Sequence, residues 1–540
     1  MAEPDAFPFA PFRNRRFLLY WLAGLSANFG WLIQMVGASW LMTSLDARPE
    51  MVALVQTSVA LPVMLFSLPA GAMADAFGRR TTVLWSQAYL LAMSSALAAL
   101  AFLGTLGPWS LLAFTFLIGS GKALNNPAWQ TMVSELVKKE ELAPAIALNS
   151  VGFNIARSVG PAIGGAIVAG VGAFAAFLVN ACANLTILVA ASRWKTPPRD
   201  MRLPPERIGS AIVAGLRYVA MSPAHLVICL RGFTLNLAGI SVMALMPLVA
   251  RDLVGGGPQT YGMLLGGFGG GAILGAFLGT RMRSRWPLET CIRIGFLACA
   301  AAAAILGASS WFLLSMAAAA LAGAFWLVTL SSFNTTVQLS SPRWVLSRCH
   351  ATYQSCNFAG YAAGGWLWGE VAGQAGTGPA LIASGGLLAV FAGLGLVLPL
   401  RELDASGLDQ HAPWVTPEAS IDMLPKSGPI VTSIEYRIGA GDTDRFLAVM
   451  AERRRARLRD GARAWTLSRD IRDPEVWIER FRTPTWIETQ RLHLRRTVAG
   501  AHVAEKLRAL HKGPGRWTTR YELVRPAAPP SGSVPVPPES

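Results

Sequence analysis

Twelve apolar stretches, each about 20 residues or longer, fill most of the first 400 positions of this 540-residue chain. They run at about 17–43, 51–74, 82–104, 108–133, 144–170, 173–192, 223–251, 258–280, 288–307, 310–337, 349–373 and 377–400. A helix needs roughly 20 apolar residues to cross a bilayer, so the chain is expected to be an all-α membrane bundle over this region. Charged residues make up 14% of the sequence, against roughly 25% in soluble domains. The deficit is local. Residues 1–400 hold 24 Lys/Arg and 13 Asp/Glu, and residues 401–540 hold 23 and 18. A membrane part is followed by a smaller part of ordinary charge. The first stretch is too long for a signal peptide, and no small-residue cleavage site follows it.

The connections between stretches alternate in charge. One set carries Arg13, Arg15, Arg16, Arg79, Arg80, Lys138, Lys139, Arg193, Lys195, Arg199, Arg202, Arg207, Arg281, Arg283, Arg285, Arg343 and Arg348. The other carries little beyond Arg48 and Arg251. Cytoplasmic loops collect Lys and Arg. The expectation is a multi-pass protein of the cell inner membrane with both termini cytoplasmic. The same rule accounts for much of the net charge of +16 without a nucleic-acid partner. The six cysteines lie in or beside apolar stretches, with no metal-ligand spacing. They read as small apolar packing residues, and neither a metal nor a cofactor is expected.

Between the second and third stretches lies Gly71-Ala-Met-Ala-Asp75-Ala-Phe-Gly78-Arg79-Arg80. Gly78 permits a backbone conformation that other residues resist. Asp75 and Arg79 are four apart, within pairing reach on a helix. The string resembles the motif between the second and third helices of major facilitator superfamily transporters. That resemblance implies two six-helix halves with a site between them near the midplane. It implies a cavity lined by helices one, four, seven and ten. It also implies that Asp75 meets the start of the eleventh helix near Arg348.

One recurrence agrees with a repeat. Gly160-Pro161-Ala-Ile-Gly164-Gly165 recurs as Gly360-Tyr361-Ala-Ala-Gly364-Gly365. The first copy sits in the fifth stretch, where small residues allow close helix approach and Pro161 bends the segment. It reads either as plain packing or as a hinge, and it resembles the fifth-helix motif of superfamily exporters, with Ala156 replacing the first glycine. Longer strings, among them Leu230-Arg231-Gly232 and Asn334-Thr-Thr-Val-Gln338, resemble the enterobactin-exporter and drug-efflux branch. The fourth stretch lacks the arginine that many proton-coupled relatives carry near Thr115, and Gly279 stands where Asp75 stands in the first half.

Lys122, Arg157 and Arg231 fall within apolar stretches, where charge is costly and usually functional. With no acid at their depth, they favour an anionic or electron-rich solute; the alternative reading is that Lys122 snorkels to the interface and Arg157 hydrogen-bonds to helix carbonyls. Asn28, Gln34, Asn126, Asn236, Trp326, Asn334 and Asn357 are further polar or aromatic residues there. Each reads as a cavity residue or as an interhelical hydrogen-bond partner.

The layout that follows is a tail (1–16), a six-helix half (17–192), a central loop (193–222), a second half (223–400), a linker (401–427), a cytoplasmic domain (428–526) and a disordered tail (527–540). Within 428–526, Val431–Ile438, Ala464–Ile471, Glu475–Arg482 and Arg516–Val524 read as strands. Asp444–Arg459, Pro484–Arg496 and Ala501–His511 read as helices. The order β-α-β-β-α-β is ferredoxin-like, and the stretch from Val476 to Arg482 resembles the antibiotic-biosynthesis-monooxygenase type of α+β domain. The run Arg453-Arg-Arg-Ala-Arg457-Leu-Arg459 reads as a solvated helix face, with lipid as the next reading. Trp465, Leu467, Trp517 and Tyr521 mark a sheet face for self-association or for packing on the domain's own helices.

The expected function is secondary transport, exporting small anionic or amphipathic molecules of siderophore or drug type, with no direct use of ATP because no Walker motif is present. The small-molecule substrate and membrane lipid are the expected partners, and the chain is not expected to be an enzyme. The alternatives are a transporter fused to a monooxygenase-like enzyme, or a membrane sensor or scaffold.

Overall fold

The computed structural model describes residues 9–46, 48–138, 141–193, 208–342, 344–400, 421–495, 498–513 and 517–524. After a 3-10 turn at Ala10–Arg13 come α1 (Arg15–Leu45), α2 (Pro49–Phe77), α3 (Arg79–Phe102), α4 (Pro108–Leu136), α5 (Leu142–Gly170) and α6 (Ala173–Ser192). A short α7 (Ile208–Ala220) precedes α8 (Pro223–Gly239) and α9 (Ser241–Leu248). These two continue through a π-helical turn, Val249–Leu253, as one apolar rod. Then follow α10 (Pro258–Arg285), α11 (Leu288–Ala308), α12 (Phe312–Ser340), α13 (Leu346–Ala375) and α14 (Thr377–Val397). Among the described residues, nine spans are long and apolar enough to cross a membrane by length and composition.

Local chemistry sets the ends of these helices. Proline opens α2, α4 and α10, where its missing N–H costs nothing. Gly172 (φ +102°) and Gly376 (φ +92°) precede α6 and α14. Both hold left-handed backbone that side chains resist, and both turn the chain tightly into the last helix of a six-helix set. In the first set α1 packs on α5 and α6, and α3 on α6; in the second, α8 and α11 pack on α14. The sets meet where α5 lies against α10 and α2 against α9. Thr57 on α2 donates to the Ala362 carbonyl of α13 at 3.0 Å, and Ser67 and Ser355 join the same two helices at 2.6 Å.

The chain divides into two compact units. The first is the helical bundle. The second contains β1 (Ile430–Arg437), α15 (Thr443–Asp460), β2 (Arg463–Arg469), β3 (Val476–Thr483), α16 (Trp486–Leu494), α17 (Val498–Leu510) and β4 (Thr518–Leu523). The sheet order is β2-β3-β1-β4, and every neighbouring pair is antiparallel. Tyr436 faces Trp477 across β1 and β3, and Ile434 faces Glu479. One sheet face carries Ile434, Tyr436, Trp477 and Phe481 against Phe446 and Met450 of α15, Leu492 of α16 and Leu507 of α17. The unit also takes in Leu216–Ser222 and Leu339–Leu346. There the Arg459 guanidinium lies 5.1 Å from the Tyr218 ring, and Arg495 lies 4.3 Å from Trp344.

Of two expectations for this unit, one needs correction. Trp465, Leu467 and Trp517 pack into the same core, and Tyr521 reaches His493 of α16 at 3.1 Å. The sheet's aromatic face thus packs against the unit's own helices, the second of the two readings, with Trp465, Leu467, Trp517 and Tyr521 half-buried. The arginine run, by contrast, is not the uniformly solvated face expected of it. Arg453 and Arg457 share the inward stripe of α15 with Phe446 and Met450. They reach Glu479, which is fully buried, at 2.8 and 3.4 Å. A buried carboxylate needs partners of this kind to stay charged.

Candidate functional site

The repeated glycine motif builds two matching seams. On α5, Gly160 and Gly164 face α1. A Cβ on Gly160 would lie 3.3 Å from Leu32, and one on Gly164 would lie 3.1 Å from the Ile33 backbone. Gly165 instead faces α10, where a Cβ would meet the Pro258 carbonyl at 2.6 Å. The Pro161 carbonyl is 2.5 Å from a Cβ built on Gly262. The second copy does the same with different helices. Gly360 and Gly364 abut the Phe233 and Leu237 carbonyls of α8, and a Cβ on Gly365 would lie 2.5 Å from Thr57 Oγ1 of α2. Each motif thus packs one face within its own helix set and one face across to the other set. Farther along the α5–α10 seam, Gly266 and Gly269 abut the carbonyls of Ser158 and Arg157. The glycines of α10 were not singled out from sequence, although Gly266-Gly-Phe-Gly269-Gly-Gly carries the same small-residue signal.

At the turn after α2, Gly78 has φ +85° with no atom within 4 Å of a built Cβ. Backbone conformation, not space, asks for glycine there. Arg80 donates to the carbonyls of Ala191 at 3.3 Å and Ser192 at 2.9 Å. A cation at the end of α6 satisfies carbonyls that the helix leaves open. Arg79 is half-buried at the start of α3. The side chains at Gly71 and Asp75 lie outside the described residues, and so does the expected Asp75–Arg79 pair.

The charged residues of the apolar stretches separate into two groups. Lys122 on α4 is half-buried, with its ammonium 5.4 Å from the Trp31 ring of α1. Arg157 on α5 is half-buried, 5.4 Å from Phe268 of α10. Phe268 in turn contacts Trp326 of α12 edge-on at 6.3 Å. Among the described residues neither cation has a carboxylate partner. Arg231 differs. It is fully buried, and its Nη1 donates to both oxygens of Glu289 at 2.7 and 2.6 Å. Glu289 also accepts from the Leu400 amide at 2.9 Å. This pair joins α8, about two turns from its start, to the first turn of α11 and the chain just past α14, so Arg231 is not the unpaired cation that the sequence suggested. Glu289 was missed because 58 residues separate the partners.

The neutral polar residues separate similarly. Gln34 is fully buried and accepts from Asn180, which also reaches Ser94 at 3.0 Å. That network ties α1, α6 and α3. Asn236 is buried and donates to the Gly232 carbonyl at 2.8 Å and to Asn357 of α13 at 3.4 Å. Trp326 is buried, Asn28 and Asn334 are half-buried, and Asn126 is exposed. Arg157 and Trp326 are thus linked across the two sets through Phe268, and Lys122 meets Trp31 within the first set, whereas Gln34, Asn236 and Arg231 each hold helices together within one set. At the bundle end with few basic residues, Trp40 stacks with Tyr261 at 6.3 Å and Arg251 donates to the Thr43 carbonyl at 3.2 Å. Sequence reasoning missed both contacts.

The chain is similar to known proteins in sequence and in fold. An uncharacterized MFS-type transporter, YfiS of Bacillus subtilis, is 26% identical over 285 residues, covering 50% of this chain and 66% of the relative. The staphyloferrin A transporter of Staphylococcus aureus is 29% identical over 29% of this chain and 40% of its own length. The multidrug efflux pump Tap of Mycolicibacterium fortuitum is 29% identical over 38% and 52%. The chain therefore matches less than two thirds of the length of each of these relatives. Among solved structures, an inward-facing bacterial homologue of the lysosomal transporter Spinster superposes with a TM-score of 0.59 at 15% identity, covering 72% of this chain and 97% of that one. The family profile described as transmembrane secretion effector matches residues 6–527 and so runs through the sheet unit as well as the bundle. The chain belongs to the transmembrane secretion effector family, of the major facilitator transporter type.

Proposed function

We propose that the protein exports small anionic or amphipathic molecules from the cell by alternating access, with a central site that includes Lys122 and Arg157. The observation that carries this reading is the pair of half-buried cations without carboxylate partners among the described residues, each set against an aromatic ring. A cation at that depth is costly unless it faces water or a ligand. The roles of two relatives, staphyloferrin A transport and multidrug efflux, agree with a siderophore- or drug-like solute and with the enterobactin-exporter branch.

The reading includes twelve crossings, both termini in the cytoplasm and residence in the inner membrane. Helices α1, α4 and α13, at 31, 29 and 30 residues, match the nine apolar spans in length and would complete the count. Their lower hydropathy is what cavity-lining and motif residues would produce. Contacts at the end poor in basic residues, Trp40 with Tyr261 and Arg251 with Thr43, suit a state open toward the basic end. Asp75 keeps its proposed part in the conformational motif.

The sheet unit would be a ferredoxin-like domain spanning about 428–526, a reading supported by the strand order β2-β3-β1-β4 with antiparallel neighbours. We assign it a regulatory role rather than catalysis. Among the described residues, its large buried polar cluster is an ion network around Glu479, not a set of reactive groups around a cavity.

Transport by inverted membrane vesicles against a panel of siderophores and drugs tests the proposal. Lys122→Met and Arg157→Gln should each weaken anionic solutes about tenfold or more, the scale of one charge-assisted hydrogen bond. Neutral solutes should change little. Equal loss for both classes, or no loss for either, would refute the assignment.

A further inference from the structure

The N-terminal six-helix set carries an open groove of about 490 Å³, outside the central site, between α1, α4 and α6. Leu19 and Leu22 of α1 and Leu185 and Val189 of α6 form its exposed apolar walls. Tyr20 and Trp129, stacked at 4.2 Å, form part of its lining. One end carries Arg16, at the start of α1, and Arg193, at the end of α6. Both are exposed. From the arginines the lining extends to Ser26 on α1 and Cys182 on α6. Ten or eleven helical residues at 1.5 Å each give the groove a length of roughly 15 Å.

That length is about half the ~30 Å hydrocarbon core of a bilayer, the depth of a single leaflet. In a membrane-spanning set of helices, exposed leucine and valine walls are solvated by hydrocarbon. The guanidiniums sit at the end where the basic loops collect, and they suit a negative group at headgroup level. Arg80, bound to the last carbonyls of α6, adds a third positive charge near that end. We infer that this groove is a binding site for an anionic phospholipid of the leaflet on the basic side, with one acyl chain along α1 and α6 and its phosphate between Arg16 and Arg193.

Cys182 supplies a reporter, because it lines the groove and is exposed, whereas Cys229, Cys291, Cys299 and Cys349 are buried. The purified full-length protein in detergent would be titrated with phosphatidylglycerol or phosphatidylcholine. The rate of N-ethylmaleimide labelling at Cys182 would be followed, with Cys182→Ser as the blank. Phosphatidylglycerol should slow labelling at a roughly 10- to 30-fold lower mole fraction than phosphatidylcholine, the scale expected for two interfacial arginines. Arg16→Gln with Arg193→Gln should erase that preference while leaving the lipid-free labelling rate unchanged. Leu185→Trp, which fills the groove, should lower protection by either lipid. Equal protection by the two lipids in the unmodified protein, or a preference that survives the double substitution, would overturn the assignment. Protection by the transported solute but by neither lipid would instead mark the groove as a substrate path and refute the lipid site.

Discussion

Replacing Glu479 by Ala is expected to unfold the sheet unit while leaving the helical bundle inserted. Glu479 is fully buried between α15 and the sheet. It accepts from Arg453 at 2.8 Å, Arg457 at 3.4 Å, the Tyr436 hydroxyl at 2.7 Å and the Trp465 indole at 3.0 Å. Its removal leaves two guanidiniums buried with no carboxylate. Breaking one side of a buried ion pair costs about 3–5 kcal/mol, a large share of the ~5–15 kcal/mol that holds a typical domain folded. Limited proteolysis of the full-length protein in membranes should then cleave within residues 430–523 much faster, with the bundle still protected. A more informative variant changes Arg453, Arg457 and Glu479 together to Met, Leu and Leu. Removing every charge of such a cluster is often neutral or stabilising, so this variant should regain protease resistance. Unchanged resistance in Glu479→Ala would show that the network does not hold the unit together.

The same cluster sets an acid limit. Burial alone would raise the Glu479 carboxyl, but the guanidiniums of Arg453 and Arg457, with the Tyr436 and Trp465 hydrogen bonds, hold it down at about 2. The ordinary value is 4.5. A depressed carboxyl contributes stability above its unfolded value and loses it as pH falls toward the folded value. The unit should therefore weaken progressively below about pH 4.5. Its charge-free triple variant should lack that step.

How this cluster escaped the sequence reading is instructive. Arg453 and Arg457 sit in a run so basic that it reads as a solvated face, and charge count alone supports that. The helical period does not. Phe446, Met450, Arg453 and Arg457 fall on one stripe, and Glu479 shares one face of β3 with the buried Trp477 and Phe481. Pattern therefore placed three ionisable groups in a core where composition placed them in water. The long helices were legible for the opposite reason: apolar length, opening prolines and turn glycines all point the same way. The glycine repeat was legible as a motif, but its two-sided use was not, because nothing local says which neighbour each glycine faces. The Arg231–Glu289 pair and the groove between α1, α4 and α6 join positions far apart in the chain, which no periodicity links.

Gly165→Leu and Gly262→Leu are expected to reduce transport at least tenfold without preventing membrane insertion. At these positions α5 and α10 approach with no side chain between them. A Cβ on Gly165 would lie 2.6 Å from the Pro258 carbonyl, and one on Gly262 would lie 2.5 Å from the Pro161 carbonyl. Both obstacles are backbone and cannot rotate away. Overpacking of this kind costs about 1–3 kcal/mol, charged only to the state in which the seam is closed. An equilibrium between two states then shifts by roughly 5- to 150-fold toward the state in which α5 and α10 part. A carrier that must visit both states slows accordingly. Ser39, buried near Tyr261 at the end poor in basic residues, reports that shift. A Ser39→Cys thiol should label faster in the Leu variants than in the parent. Gly170→Leu is the control, because a Cβ there meets nothing within 4 Å, and it should transport normally. The mirror substitution Gly365→Leu, against Thr57 of α2, should reproduce the defect if the two motif copies act as one device. Normal transport and unchanged Ser39→Cys labelling in Gly165→Leu would leave the seam as packing alone.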